Sequence, residues 1–411
     1  MKTLRINEKR FLEDFATLSH FGATPNGGVD RPSFSDAHLQ TLAWFQQYAA
    51  GMGLTAHVDA AGNHSIQLNC AGENAPVLLM GSHLDSVYDG GRFDGALGVM
   101  SALEVLHTLK DASLSLPFNV EVVSFTDEEG TLVGMLGSKA LIGEYHPVLL
   151  EQGTVSKDLI LAAFQKGGLD PETFIDAKRD PRSLYGYLEL HIEQGARLHR
   201  EQIQIGVVSG IVGMCALRVI YTGKANHAGT TGMMHRQDAG LGASAYNLTA
   251  HKMVLEKYPG CVVTVGKMRF LPGGVNIIPA QAEFSVDYRS IDRAQLDELE
   301  ANLIQLAKTL AEEYGLGVQV ERTLRHEPAL MDERFRSAIS ASTRQLGLSA
   351  VEMPSGAGHD AQNMAVVCPC GMIFVPSQDG ISHSPFERTT DSDCMNGANV
   401  LLQTVLKLAE G

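Results

Sequence analysis

Five short segments gather histidine and carboxylate side chains where the chain leaves a predicted strand or enters a predicted helix. Gly81-Ser82-His83-Leu84-Asp85 follows the apolar run Pro76-Val77-Leu78-Leu79-Met80, and Gly91-Arg92-Phe93-Asp94-Gly95 opens an apolar helix pattern. Thr126-Asp127-Glu128-Glu129-Gly130 follows a second apolar run, Val120 to Phe125. Leu188-Glu189-Leu190-His191 closes a stretch of period-2 alternation, and Gly380-Ile381-Ser382-His383-Ser384-Pro385 comes after a strand ending at Val375. Loops at strand ends are where side chains from separate elements converge in a crevice. Imidazoles together with carboxylates suit Zn²⁺, Mn²⁺ or Co²⁺, and a carboxylate, having two oxygens, can bridge a pair of such ions. Asp85, two residues beyond His83, is placed to accept the free ring N–H of that histidine and fix its tautomer. Glu128 and Glu129 offer two jobs, one binding metal and the other taking a proton from water. The residues alone leave open which does which.

Each segment has a plainer reading. An isolated H-x-D arises often by chance, a Glu-Glu pair is ordinarily part of a solvated face, and His191 alone is compatible with a satisfied core histidine. The weight lies in five segments together, each beside the end of a predicted element.

The elements that must hold these segments read as α/β. Short buried strands alternate with helices through the first half, including a helix from Gly95 to Leu109 and one capped by Ser35 with Leu39, Leu42 and Phe45 on one face. From about 214 to 326 the rhythm changes. Ala216–Tyr221, Cys261–Met268, Ala282–Tyr288 and Val318–Val320 read as strands, Asp238–Leu255 as a helix, and Leu296, Leu299, Leu303, Leu306 and Leu310 line a second helix ended by Gly315. That order, β-α-β-β-α-β, predicts a ferredoxin-like unit. It is an insertion, because α/β character resumes at Met372–Val375, and Gly206-Val207-Val208-Ser209-Gly210 reads as the hinge into it.

The chain has 411 residues, 44% of them hydrophobic, enough for two cores rather than one. A formal net charge of −15 argues against a nucleic-acid partner. No apolar run approaches the roughly 18 residues that span a bilayer, and the N-terminus has no signal-peptide pattern. The six cysteines, Cys70, Cys215, Cys261, Cys368, Cys370 and Cys394, show no C-x-x-C spacing and read as reduced thiols. Together these predict a cytoplasmic protein with no membrane partner.

Taken in order, H-L-D, G-x-x-D-G, D-E-E-G, L-H-I-E-Q-G and G-I-S-H-S-P resemble the aminoacylase and carboxypeptidase superfamily of dinuclear metallohydrolases. Leu190-His191-Ile192-Glu193-Gln194-Gly195 and Ser355-Gly356-Ala357-Gly358-His359-Asp360-Ala361 resemble its carbamoylase branch, which holds N-carbamoyl-L-amino acid hydrolases, allantoate amidohydrolases and β-ureidopropionases. The resemblance runs from Gly27 to Arg388. It implies an α/β, zinc-peptidase-like catalytic domain over 1–211 and 327–411, with an inserted ferredoxin-like lid and dimerisation domain over 212–326, in a homodimer. It implies two divalent metal ions per subunit (zinc, manganese or cobalt): His83, Asp94 and His191 on one, Asp94, Glu129 and His383 on the other, Asp94 bridging. Glu128 would be the general base and then the acid. His227, in Asn226-His227-Ala228-Gly229-Thr230, would stabilise the oxyanion in a neighbouring subunit's site. Asn276 and Gln194 would contact substrate, as would the backbone at Gly358, and Arg289 would grip the substrate carboxylate in a fork. His359 and Asp360 are left as supporting groups.

The implied reaction is hydrolysis of the ureido C–N bond of a small ureido carboxylate. Two departures from the family pattern stand out. Gly232 stands where many relatives have proline in A-G-T-x-P-M, which removes a backbone restraint after His227. Met214-Cys215-Ala216-Leu217 follows Ile211-Val212-Gly213, where allantoate amidohydrolases carry paired arginines; Arg218 is a doubtful substitute on strand register. The missing arginine favours an N-carbamoyl-amino acid over allantoate; allantoate amidohydrolase and β-ureidopropionase stand as the alternatives. An ordinary peptidase would place a carboxylate where His191 stands, and an inert binding protein on this fold would be expected to have lost a ligand or the base.

Overall fold

A computed structural model describes residues 3–410, and it separates into two compact units, Met1–Ser209 with Met331–Gly411, and Gly210–Leu330. The chain therefore crosses between units at Ser209–Gly210 and Leu330–Met331.

Six strands precede the first crossing or span it: β1 (Ala56–Val58), β2 (His64–Leu68), β3 (Val77–His83), β4 (Asn119–Phe125), β5 (Leu184–Ile192) and β6 (Ile205–Ile211). Five follow in the second unit: β7 (Gly213–Thr222), β8 (Val262–Thr264), β9 (Met268–Leu271), β10 (Gln281–Ser290) and β11 (Gly317–His326). The short β12 (Ala329–Leu330), β13 (Ala350–Ser355) and β14 (Cys370–Val375) complete the set.

The larger sheet runs β1-β2-β4-β3-β5-β14-β6-β12, with β13 also on β6. Its centre, β4-β3-β5-β14, is parallel. Parallel strands are covered on both faces and so read as continuous apolar runs. This explains β4, buried at every residue, and β5, buried at all but Tyr185. The alternation read at the end of β5 is therefore not a half-exposed pattern: Glu189 and His191 are as buried as Leu188 and Leu190. Gly81 lets β3 pass β4, since a Cβ there would lie 1.9 Å from the Val123 carbonyl oxygen. The segment read as the passage into the insertion, Gly206 to Gly210, lies inside β6, where Gly206 pairs with Phe374 and Gly210 with Leu330, and the boundary between the units falls within it at Ser209–Gly210.

Helices Glu8–Leu18, Ala96–Asp111, Glu333–Gln345 and Asp391–Glu410 contribute to the main core with β3 and β5. Asp36–Gly51 starts as expected, Ser35 accepting the His38 N–H at 3.2 Å. A satellite cluster around Phe34, Leu136, Phe164 and Phe174 packs the loops that follow β4.

In the second unit the spatial order is β11-β7-β10-β8, all antiparallel, with helices Ala239–Lys257 and Arg293–Tyr314 between the strands in sequence. This is the ferredoxin-like order. The strand expected over Cys261–Met268 is broken into β8 and β9, both pairing with β10. Alternation is strict on β10: Ala282, Phe284, Val286 and Tyr288 face the helices, so Glu283, Ser285, Asp287 and Arg289 line the other face. On β7, Cys215 and Leu217 are core while Met214, Ala216 and Arg218 share the open face.

Among the described residues no helix is long and apolar enough to cross a membrane, and all six cysteines are free thiols.

Candidate metal centre

His83 is the last residue of β3 and His191 the last but one of β5; Glu128 and Glu129 follow β4, and His383 lies in the loop after β14. All five therefore come off the same edge of the parallel strands, and Asp94 joins them just ahead of helix Ala96–Asp111. Asp94 Oδ1 is 3.1 Å from His191 Nε2 and 3.8 Å from His83 Nε2, while Oδ2 is 3.4 Å from His383 Nε2. His383 Nε2 is also 3.4 Å from Glu129 Oε2. Two groups result, His83–Asp94–His191 and Asp94–Glu129–His383, each with its ligand atoms within 4.8 Å of one another and with Asp94 in both. Glu128 Oε2 stands 3.5 Å from His83 Nε2 and belongs to neither group.

The imidazoles are oriented from behind. His83 Nδ1 lies 3.1 Å from the Asp85 carbonyl oxygen and His191 Nδ1 2.9 Å from that of Ile192. Carbonyls only accept, so Nδ1 carries a hydrogen in each ring and Nε2 is the nitrogen turned to the site. This corrects the role expected of the Asp85 carboxylate. It stands 3.7 Å from His83 Nδ1 and instead accepts the amides of Glu128 and Glu129, at 3.4 and 3.2 Å, and the Ser33 hydroxyl. Asp85 thus holds the Glu pair, not the His83 ring, through its side chain. Glu189, His191 and His359 form a third candidate group, but both His191 nitrogens are already committed.

The centre is a buried excess of acid. Burial, then the Asp360 and Glu129 charges, pushes Glu128 well above the usual carboxylate range; burial, then Asp94, does the same to Glu129. Glu387 is pushed up to about 7 by burial and then by Asp94. Burial would also raise Asp94, but hydrogen bonding with His191 and His383 overrides it and holds that carboxyl well below its ordinary value. Burial by contrast works against protonation of His191, yet the hydrogen bond and charge of Asp94 lift it to about 9. Buried Glu129 Oε1 has no hydrogen-bond partner. Such a cluster calls for cations, and its nitrogen and carboxylate donors fit divalent metal.

The backbone is strained where it presents these groups. Asp127, Gln194 and His383 have φ of 53°, 55° and 54°, a left-handed conformation that non-glycine residues adopt at a cost. Gly95 has φ of 61°, and a Cβ there would meet three His83 ring atoms at 2.3 to 2.4 Å. Gly95→Ala is therefore expected to displace the His83 ring and weaken metal binding about 10- to 100-fold, the range for disturbed ligand orientation. Competition titration against a chelator measures it, and an unchanged affinity would show that the ring position is not what Gly95 protects.

Comparison with known proteins bears on this geometry. Residues 79–407 match the model of peptidase family M20/M25/M40. That span runs from β3 to the C-terminal helix and contains every ligand candidate. The chain belongs to this family. Within it, the chain falls in the carbamoylase branch. It is 38% identical to an N-carbamoyl-L-amino acid amidohydrolase of Geobacillus stearothermophilus, over 99% of this chain and 100% of that protein. It is 34% identical to the allantoate amidohydrolase of Escherichia coli K12, over 97% of each. A solved amidase of the hydantoinase/carbamoylase family from Burkholderia multivorans superposes with a TM-score of 0.88 at 33% identity, covering 99% of this chain and 98% of that one. The M20 family is metal-dependent, and the two groups sharing Asp94 are where this member would hold its metal.

The other expected site residues of this M20 protein fall in both units. Gln194 reaches the centre, donating to Asp94 Oδ2 at 2.7 Å. Gly358 precedes His359, whose ring centroid lies 4.5 Å from that of His191. In the second unit, exposed His227 and Asn276 lie on adjoining segments: His227 bridges to Ile277 and Ala228 donates to the Asn276 carbonyl at 2.9 Å. Arg289 is on the open sheet face, its Nε donating to Asp287 at 3.0 Å. Sequence reasoning missed Glu387. Its Oε1 accepts the amides of Phe93 and Asp94 at 2.9 and 3.1 Å, and its Oε2 lies 2.9 Å from the Ser382 hydroxyl, which is equally near Asp94 Oδ2 and has one hydrogen to give to either. The only available signal was an acid four residues after His383.

Proposed function

We propose that this chain hydrolyses the ureido C–N bond of an N-carbamoyl-L-amino acid, giving the amino acid, CO₂ and ammonia. The observation that carries the reading is one buried carboxylate, Asp94, shared by two ligand groups, with a second, partly buried carboxylate, Glu128, beside them and outside both. Relatives named N-carbamoyl-L-amino acid amidohydrolase, 32 to 38% identical over 99% of this chain, support the substrate class.

Two divalent ions, zinc, manganese or cobalt, held by these groups would polarise the ureido carbonyl and acidify water. Glu128 takes the proton of the attacking water and returns it to the leaving nitrogen, so that the bond between the carbamoyl carbon and the amino-acid nitrogen breaks and carbamic acid departs to decompose. His227 acts as hydrogen-bond donor to the oxyanion. Gly229 N–H donates to its Nδ1 at 3.0 Å, so in the neutral ring Nε2 carries the hydrogen that such a donor needs. Arg289, Asn276, Gln194 and the backbone at Gly358 hold the substrate, Arg289 by its carboxylate. The second unit serves as lid and dimer contact of a cytoplasmic homodimer.

The runner-up substrate is allantoate. That reading expects an arginine on β7 soon after Gly213, where the open face offers Met214, Ala216 and Arg218. Arg218 is paired opposite Ser285 and donates to Glu283 at 2.6 Å; it sits four residues from Met214, the partner of Arg289, or roughly 13 Å at strand rise. Ammonia release by metal-loaded protein from N-carbamoyl-L-amino acids, N-carbamoyl-β-alanine and allantoate decides between them. Selective turnover of the first is expected. Preference for allantoate would overturn the argument from the missing arginine while leaving the metal centre intact.

A further inference from the structure

The segment carrying His227 lies outside the core of the second unit, and one side chain laces it together. Arg236, half-buried, donates from Nε and Nη2 to the Thr231 carbonyl at 3.1 and 3.0 Å, and from Nη2 to the Ala228 carbonyl at 2.5 Å. Thr231 in turn donates to the His227 carbonyl from its amide at 3.2 Å and its hydroxyl at 2.8 Å. Ala228 N–H donates to the Asn276 carbonyl and Ile278 N–H to the Asn226 carbonyl, both at 2.9 Å. The guanidinium thus closes a ring of hydrogen bonds in which Gly229 N–H is aimed at His227 Nδ1. Gly232, whose φ of −57° is one proline occupies, supplies none of the restraint a proline would.

No carboxylate among the described residues pairs with Arg236, so its charge is spent on the loop's own carbonyls. The planar fork suits this task, because two of its nitrogens grip two carbonyls in a fixed geometry, whereas an ammonium is a single point donor. Nothing in this loop belongs to the hydrophobic cluster of the unit, which is built from β7, β10 and the two long helices. Removing the side chain therefore loosens the loop without unfolding the unit.

We propose that Arg236 is a positioning residue for the His227 imidazole: by tying the Ala228 and Thr231 carbonyls it fixes the ring's tautomer and aim, and with it the stabilisation of the oxyanion. The inference rests on the role assigned to His227 above. The test uses metal-loaded protein and N-carbamoyl-L-alanine, with Arg236→Ala, Arg236→Lys, His227→Ala and the Arg236→Ala/His227→Ala double variant. Arg236→Ala is expected to lower kcat about 10- to 100-fold, since misplacing a catalytic group by an ångström costs on that order, with KM changed less than about 2-fold. Arg236→Lys recovers part of the loss. In the double variant kcat equals that of His227→Ala alone, because two residues acting as one unit do not add. Histidine ¹⁵N spectra show the His227 ring as one Nε2–H tautomer in the parent chain and as an average of two in Arg236→Ala. An unchanged kcat in Arg236→Ala, or an additive loss in the double variant, overturns the proposal. If His227→Ala itself leaves kcat unchanged, the role of His227 falls, and the ring spectrum decides the rest: averaging in Arg236→Ala upholds the positioning, and an unchanged tautomer refutes it.

Discussion

Asp94→Ala is expected to strip both ligand groups of metal and to reduce turnover to the assay floor, a loss of at least about 10⁶-fold, the lower end of enzymic accelerations. The expectation follows from the division of its two oxygens. Oδ1 faces His191 and His83, and Oδ2 faces His383. Each group keeps only two ligands when Asp94 is lost, and the carboxylate whose charge offsets the cations is gone with it. The loop itself is held independently, since Glu387 binds the amides of Phe93 and Asp94 and not the Asp94 side chain. The variant should therefore fold with an unchanged circular dichroism spectrum while elemental analysis finds less than about a tenth of the parent's bound metal, as loss of a shared direct ligand must exceed the 10- to 100-fold cost of losing a mere supporting contact. Full occupancy of one equivalent in Asp94→Ala would show that the two groups fill independently and that no bridge exists.

Glu128→Gln should separate chemistry from binding. Glu128 lies outside both ligand groups, whereas Glu129 lies inside one. The amide keeps the shape and the contact near His83 but cannot accept a proton from water. We expect kcat to fall about 10²- to 10⁴-fold, the usual worth of a general acid–base group, with metal content and KM preserved. Glu129→Gln, in contrast, should lose metal. Burial and the surrounding carboxylates raise Glu128 well above the ordinary carboxylate value. Bound cations act in the opposite direction and bring it toward the value a base requires near neutral pH. The acid limb of the kcat profile should accordingly vanish in Glu128→Gln. If Glu128→Gln retains kcat, or if Glu129→Gln retains metal and loses kcat, the two glutamates have the opposite roles.

The sequence by itself determined the parts of this protein whose signal is local. A run such as Val77–Met80 must be a strand buried on both faces, and Leu296 to Leu310 must be a helix with one apolar face. His83 was legible because it closes a strand, Glu128 and Glu129 because they follow one closely, His383 because it lies in the loop after one, and Asp94 because it opens a helix. The β-α-β-β-α-β order of the second unit was legible for the same reason, save that β8 and β9 divide where one strand was read.

What the tertiary structure decided is every choice that depends on a partner far along the chain. Asp85 stands beside His83 in sequence, yet its carboxylate turns to the amides of Glu128 and Glu129, some 43 and 44 residues away. Glu387 holds the Asp94 loop across 293 residues. Arg218 and Ala216 share a face with Arg289 while Cys215 does not, a matter of β7–β10 register. Spacing predicts which side chains leave a strand end, because backbone geometry over a few residues is nearly fixed. It cannot say which buried donor will meet which buried acceptor, because each such group must be satisfied by whatever the completed packing brings within reach.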